Sequence, residues 1–106
     1  MESNLESIKN IFSKMQEDGW NISKELKWGF FFVSHKEDRL KQIYEELKDR
    51  EYLLESIYQA DDEKWVLQAS KTEILAPEKL HRRNISFNEL AEHYDSIYDR
   101  WVVGKD

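Results

Sequence analysis

The chain has 106 residues, which suits a single domain built around one core. Acidic residues outnumber basic ones by 22 to 16, and the net charge of −6 argues against non-specific binding of nucleic acid, which needs many cations. The absence of cysteine excludes disulfides, a thiolate nucleophile and cysteine-ligated metals. No apolar run approaches the ~20 residues of a membrane span, and the polar N-terminus is unlike a signal peptide, so we expect a cytoplasmic protein.

An amphipathic helix is predicted for residues 4–18. Its apolar residues recur at helical spacing on one face: Leu5, Ile8, Phe12 and Met15. Ser3 and Glu6 have the spacing of an N-terminal capping box, and Gly19 stands where a C-terminal cap is expected. Residues 1–19 are therefore predicted to be a helical extension that precedes the rest of the domain.

Residues 27–33 are predicted to form a buried strand because they make a short apolar run rich in aromatic residues. Strand alternation sorts their side chains between the two faces of a sheet, with Trp28, Phe30 and Phe32 on one face and Phe31 and Val33 on the other. Ser34 and Glu37 repeat the capping-box spacing and indicate a second helix. The core-facing stripe of that helix consists of Leu40, Ile43, Tyr44 and Leu47.

Residues 51–58 and 64–71 are strand-like, and the polar connector between them predicts an antiparallel hairpin. Pro77 then begins a third helix at its first turn. The core face of this helix consists of Leu80, Asn84, Phe87, Ala91 and Tyr94. Residues 96–103 form the last predicted strand, which ends before Gly104.

After the first helix the order of elements is β-α-β-β-α-β, the pattern of a ferredoxin-like sandwich. We therefore expect one α+β domain over residues 1–106, with the sandwich in residues 27–104 and the extra helix in residues 1–19. The sandwich has a four-stranded antiparallel sheet with two helices on one face. Aromatic residues on both faces of the first strand leave the second sheet face in need of cover, from the N-terminal helix, a second subunit or a partner protein.

The stretch from Phe30 to Trp101 resembles the regulator of ribonuclease E activity B family, a family of small protein inhibitors of RNase E. The similarity rests on four segments, namely Phe30–Val33, Lys64–Lys71, Pro77–Ala91 and Tyr98-Asp99-x-Trp101. The family pattern in the last segment is usually Tyr-Asp-Gly-Trp, and this chain has Arg100 at the glycine position. The resemblance implies a protein that binds and inhibits a ribonuclease, and it supplies no catalytic residues.

The sequence contains no recognisable catalytic constellation. Two of the three histidines, His81 and His93, lie about 18 Å apart along one predicted helix and are too distant to share a metal, while His35 stands alone. The chain has no glycine-rich phosphate loop and no nucleophile motif around a serine. We therefore expect a protein that is not an enzyme and that binds no metal or cofactor.

The candidate partner-binding residues are Asp61, Asp62, Glu63, Ile85, Tyr98, Asp99 and Trp101. The three consecutive acids indicate either a solvated hairpin tip or a contact for a basic protein. Ile85 lies on the charged side of its helix, where it either packs under a loop or the extra helix or anchors an interface. The Tyr98-Asp99-x-Trp101 segment either contacts a partner or is structural, because a core tryptophan and a turn-capping aspartate would give the same pattern.

The acidic charge, the surplus of aromatic residues and the missing catalytic motif favour a small protein that binds and inhibits a ribonuclease, since enzymes that grip RNA carry basic surfaces. An immunity protein that neutralises a toxic nuclease would have the same properties. Two other classes stay open: a small-ligand-binding or enzymatic domain that uses the sheet face, and a homo-oligomeric module. The expected partner is a basic protein, a ribonuclease or a nuclease toxin, without direct contact to nucleic acid or membrane. The chain itself is expected to be a monomer or weak homodimer.

Overall fold

The computed structural model describes residues 1–104, which form three helices and a four-stranded sheet. The helices are α1 (Leu5–Glu17), α2 (Glu37–Lys48) and α3 (Pro77–His93). The strands are β1 (Leu26–Ser34), β2 (Leu53–Asp61), β3 (Lys64–Glu73) and β4 (Ile97–Gly104). The antiparallel sheet has the order β2-β3-β1-β4. This is the predicted ferredoxin-like α+β arrangement, preceded by the predicted N-terminal helix.

The core lies between the helices and one face of the sheet. The central strand β1 contributes a run of alternate side chains that are at most 7% exposed: Leu26, Trp28, Phe30, Phe32 and Ser34. Phe87 of α3 packs edge-on against Phe30, with ring centroids 5.1 Å apart. The predicted alternation is confirmed, because the register pairs Phe30 with Ala69 and Trp101, and pairs Phe31 with Gln68 and Arg100. Trp28, Phe30 and Phe32 therefore lie on the helix side of the sheet.

Helix α1 lies on the same side of the sheet as the other two helices. Phe12 stacks on Trp28, with ring centroids 5.7 Å apart and 14° between the ring planes, and α1 also packs against α3. The idea that α1 covers the second sheet face is therefore wrong. The reason is that Trp28 and its helix-side neighbours offer the apolar stripe of α1 a large aromatic surface. Within residues 1–104, the second face of the sheet has no helix over it.

Two or three positions after each helix, one residue adopts a left-handed backbone conformation: Gly19 (φ 89°), Glu51 (φ 69°) and Asp95 (φ 53°). At each of these ends, three successive backbone N–H groups donate back to carbonyls of the last helical turn. The predicted cap at Gly19 is confirmed. The other two caps carry no glycine, and no residue pattern predicts them.

The N-terminal caps differ from the prediction. Asn4 rather than Ser3 caps α1, because its Oδ1 accepts a hydrogen bond of 3.0 Å from the backbone of the third helical residue. The Ser3 hydroxyl instead hydrogen-bonds to side chains of α3. Lys36 occupies the N-cap position of α2 without a side-chain cap, while the predicted cap Ser34 ends β1 as a buried residue. Ser3 does not cap α1 because its hydroxyl bonds to α3, and the Ser34 hydroxyl accepts a hydrogen bond of 3.3 Å from the backbone N–H of Lys36, the residue before α2.

The β2–β3 hairpin is tighter than predicted. β2 starts at Leu53 because residues 51–52 complete the end of α2, where the Tyr52 N–H donates to the Leu47 carbonyl. At its other end β2 continues to Asp61, so the predicted polar connector is a two-residue turn at positions 62–63. The acidic residues of this turn thus stand at one end of the sheet.

Candidate protein-interaction site

A groove of about 500 Å³ lies at the end of the sheet where β1 and β2 finish and β3 and β4 begin. Its lining residues are Val33, Ser34, His35, Asp61, Glu63, Lys64, Asp95, Ser96, Ile97 and Asp99. Three sequence-predicted partner residues, Asp61, Glu63 and Asp99, are among them. The antiparallel topology brings them together, because it places the β2–β3 turn and the start of β4 at the same end of the sheet.

Local hydrogen bonds fix the hairpin side of the groove. The backbone N–H of Glu63 donates to Oδ1 of Asp61 at 3.0 Å. Nδ1 of His35 donates to the backbone carbonyl oxygen of Glu63 at 2.8 Å, and since a carbonyl oxygen only accepts, this nitrogen carries the proton. The end of β1 is thereby tied to the turn, and the side chains of Asp61 and Glu63 remain exposed.

A β-bulge sets the direction of Asp99 on the opposite side of the groove. Phe31 pairs with Arg100 and Phe32 pairs with Tyr98, so Asp99 is the extra residue of β4. The side chains of Asp99 and Arg100 lie close together, with Oδ2 and Nε 3.7 Å apart. Asp99 therefore reaches the groove although Tyr98, its neighbour in the chain, is buried in the core.

The groove is acidic. The left-handed turn after α3 adds the carboxylate of Asp95 to those of the three predicted acids, whereas Lys64 is the one lysine in the lining. Among residues 1–104, no lysine, arginine or histidine nitrogen lies within 4.0 Å of the carboxylates of Asp61, Glu63 or Asp95. Carboxylates without an internal cation are free to pair with a cation of another molecule.

An apolar row crosses the uncovered sheet face next to the groove. Cross-strand neighbours supply one residue from each strand, in the order Ile97, Val33, Val66 and Tyr58. Ile97 is 62% exposed and Tyr58 is 44% exposed, while the two valines between them are more buried. Because Val33 and Ile97 also line the groove, the row and the groove form one continuous surface.

Farther along the uncovered face, side chains screen the sheet from solvent. The Arg100 guanidinium lies over the ring of Phe31, 4.0 Å from its centroid, and Phe31 is only 7% exposed. Arg100 is part of the strand and has no positive φ, so the position that is usually glycine in the family accepts a side chain here. With Phe31 covered, the central aromatic of this face is not available for stacking on a nucleic-acid base.

Four of the predicted partner residues lie outside the groove. Tyr98 is 1% exposed, and this burial raises the pKa of its hydroxyl group. Trp101 is half-buried on the helix side, with its ring 5.8 Å from that of Trp28. Ile85 is 44% exposed on α3, also on the helix side. Asp62 is exposed in the turn between two groove residues but is not part of the lining.

The other seven groove residues were not among the predicted partner residues, and Asp95 and Ile97 are two of them. Ile97 had a usable signal, because a strand that points Tyr98 into the core must point Ile97 to the other face. Asp95 had none, since its place depends on the left-handed turn after α3.

The described part of the chain contains no group of three histidine, aspartate or glutamate side chains that could hold a metal ion. None of the helices within residues 1–104 is both long and apolar enough to cross a membrane. What the described surface does offer is a group of carboxylates, three of them without a cation within 4.0 Å, next to exposed apolar side chains, and this makes it a candidate protein-binding surface.

The fold and this surface define a small α+β protein with an exposed apolar row beside an acidic groove. Comparison with models of protein families then identifies the chain more closely, because the model of the family "Regulator of ribonuclease activity B" matches residues 5–103. The match spans nearly the whole chain, so the protein belongs to this family of regulators of ribonuclease activity, as its sequence resemblance implied. A search of curated proteins finds no match.

Proposed function

We propose that this chain regulates a ribonuclease by binding to it and inhibiting it, without a catalytic step of its own. The observation that carries the proposal is the family match over residues 5–103. The surface supports it, because ribonucleases carry cationic surfaces where they hold RNA, and three of the four groove carboxylates have no cation within 4.0 Å in residues 1–104. The sequence resemblance implies ribonuclease E as the target, and the polar N-terminus of the chain favours the cytoplasm as the compartment in which the two proteins meet.

The predicted partner residues divide into two sets under this proposal. Asp61, Asp62, Glu63 and Asp99 are solvent-exposed in or beside the groove and are available to a partner. Tyr98 and Trp101 support the sheet from the helix side, and Ile85 lies on α3 away from the groove. We therefore assign binding to the acidic residues.

A second candidate is an immunity protein that neutralises a toxic nuclease. The acidic groove favours this role as well, since a toxic nuclease must also hold an anionic substrate. The two candidates have the same binding chemistry and differ in the target.

The experiment is an RNA-cleavage assay with ribonuclease E purified from the same organism. Adding the chain in equimolar amounts is expected to slow cleavage, whereas an unrelated ribonuclease should be unaffected. Immobilised chain should also retain ribonuclease E after all RNA has been digested, because the contact is between proteins. An unchanged cleavage rate together with retention that depends on RNA would show the proposal to be wrong. Retention and inhibition of a toxic nuclease instead of ribonuclease E would establish the immunity role.

A further inference from the structure

The geometry points to one docking surface, made of the acidic groove (Asp61, Glu63, Asp95 and Asp99) and the apolar row (Ile97, Val33, Val66 and Tyr58). Its occupant is a cationic segment of the partner protein, in which a lysine or arginine lies beside an apolar side chain. This inference rests on the proposed function and adds to it the surface used and the chemistry of the segment bound.

Charge complementarity determines which sign of charge the occupant carries. Four carboxylates line the groove against one lysine, Lys64, and of the four only Asp99 has a cation within 4.0 Å in the described chain. A guanidinium or ammonium group entering the groove gains charge-assisted hydrogen bonds, and these strengthen as the interface excludes water. A polyanion such as RNA is repelled by the same carboxylates. The groove therefore selects a cationic partner.

The apolar row favours a protein segment over a free cation. Ile97 and Tyr58 stand at the two edges of the sheet and remain largely exposed, and no helix of the described chain covers the row. Burial of apolar surface contributes to binding in proportion to the area removed from water. A segment that crosses the four strands contacts the row along its whole length and reaches the groove through the shared residues Val33 and Ile97.

The edge strands are poor sites for docking by strand addition. The pairing of β2 with β3 shifts register between Leu54 and Ser56, and again between Gln59 and Asp61. The bulge at Asp99 interrupts β4 on the opposite edge. Such irregularities twist an edge and break the ladder that an added strand would extend. The side chains of the open face, rather than the backbone of an edge, are therefore the docking element.

The test compares matched pairs of variants for affinity to ribonuclease E. The charge test uses the groove double variant Glu63→Lys/Asp99→Lys. Its control is the double variant Glu17→Lys/Glu45→Lys, which changes the net charge by the same amount at exposed positions of α1 and α2. The apolar pair is Ile97→Ser against Ile74→Ser, two isoleucines that are 62% and 53% exposed. Circular dichroism and urea unfolding verify that all four variants fold as the wild type does.

The groove variant is expected to lose affinity by about tenfold or more, and Ile97→Ser by roughly tenfold, while both controls stay within about twofold of the wild type. If wild type and groove variant bind equally, or if the control charge variant loses as much affinity, the docking surface is wrong although the proposed function stands. If the wild type itself does not bind the ribonuclease, both proposals fail. A wild-type dimer that Ile97→Ser dissociates, seen by sedimentation, would make a second copy the occupant and also overturn the inference.

Discussion

The hydroxyl group of Tyr98 joins the last strand to α3 inside the core. It donates to Oδ1 of Asn84 at 2.7 Å, and Asn84 is fully buried. The amide nitrogen of Asn84 donates in turn to the hydroxyl of Ser3, which lies two positions before α1. The tyrosine of the Tyr98-Asp99-x-Trp101 segment thus has a structural role, and Asp99 is the residue of that segment that lines the groove.

The substitution Tyr98→Phe tests this structural role. It removes the hydroxyl donor and leaves a buried amide oxygen without that partner, so the free energy of unfolding should fall by about 1–2 kcal/mol. Urea unfolding measures the loss, with Tyr58→Phe on the exposed face as a control that should change little. Affinity for the ribonuclease should remain unchanged in Tyr98→Phe. A stable variant with weakened binding would instead assign Tyr98 to the interface.

Arg100 stands at the position where the sequence resemblance implies glycine, and its side chain contributes a contact that glycine cannot make. Its guanidinium covers Phe31, so Arg100→Gly should remove a cation–π contact and place a flexible residue in a strand. These effects together should lower the free energy of unfolding by about 1–2 kcal/mol. Arg100→Gln, which keeps a strand-compatible side chain, should lie between wild type and Arg100→Gly in urea unfolding. Equal stability of all three proteins would show that the contact contributes nothing.

At the scale of elements, the helices and strands could be predicted from the spacing of apolar residues, because most of their side chains are buried or exposed as that spacing indicates. The helix-side residues of β1 alternate as expected, and three of the four apolar residues predicted for the core face of α1 are buried, namely Ile8, Phe12 and Met15. The errors lie where a tertiary contact outweighs a local signal. Ser3 has the spacing of a cap, yet its hydroxyl bonds to α3. Glu51 is strand-like in the sequence, yet it adopts the left-handed conformation that ends α2.

One side chain links three strands on the open face of the sheet. The Glu55 carboxylate in β2 lies 2.6 Å from Nζ of Lys27 in β1 and accepts a hydrogen bond of 2.8 Å from the Ser70 hydroxyl in β3. The hydrogen bonds from Lys27 and then from Ser70 hold the pKa of Glu55 below its ordinary value of 4.5. Ionisation of the Glu55 carboxylate therefore stabilises the folded state.

This linkage predicts a pH dependence for the sheet. Because the folded-state pKa of Glu55 is lowered, its contribution is fully present above pH 4.5 and is lost as the pH falls through the lowered pKa. The pair is open to solvent, so the loss should stay below about 1 kcal/mol. Urea unfolding from neutral to acidic pH should show a shallower acid decline for Glu55→Gln than for wild type. Glu45→Gln on α2 is the control, and a decline identical in Glu55→Gln and wild type would contradict the linkage.

At the scale of the whole molecule, the distribution of apolar groups matters as much as the net charge of −6. All three helices pack on one side of the sheet, which leaves the apolar row on the other side next to the acidic groove. The sequence predicted three of the four groove acids and a partly uncovered sheet face. It could not show that they adjoin, because their proximity depends on the bulge at Asp99 and on the turn at Asp95.

Charge and apolar contact should act on different rate constants of ribonuclease binding. Long-range attraction by an acidic chain speeds the encounter, whereas contacts made after docking slow dissociation. Raising the salt from about 10 mM to about 1 M shortens the Debye length from roughly 30 Å to 3 Å. The association rate constant should then fall by about tenfold or more. Stopped-flow fluorescence measures it, and an association rate independent of salt would show that charge does not steer the encounter.

Ile97→Ser supplies the complementary half of the same experiment. Ile97 is uncharged and 62% exposed, so its loss should leave the association rate and its salt dependence almost unchanged while dissociation becomes faster. Glu63→Lys/Asp99→Lys should mainly slow association and weaken its salt dependence, because the reversed charges lie at the groove. If Ile97→Ser slowed association instead, the apolar row would take part in the encounter itself, and the division between steering by the groove and retention by the row would be wrong.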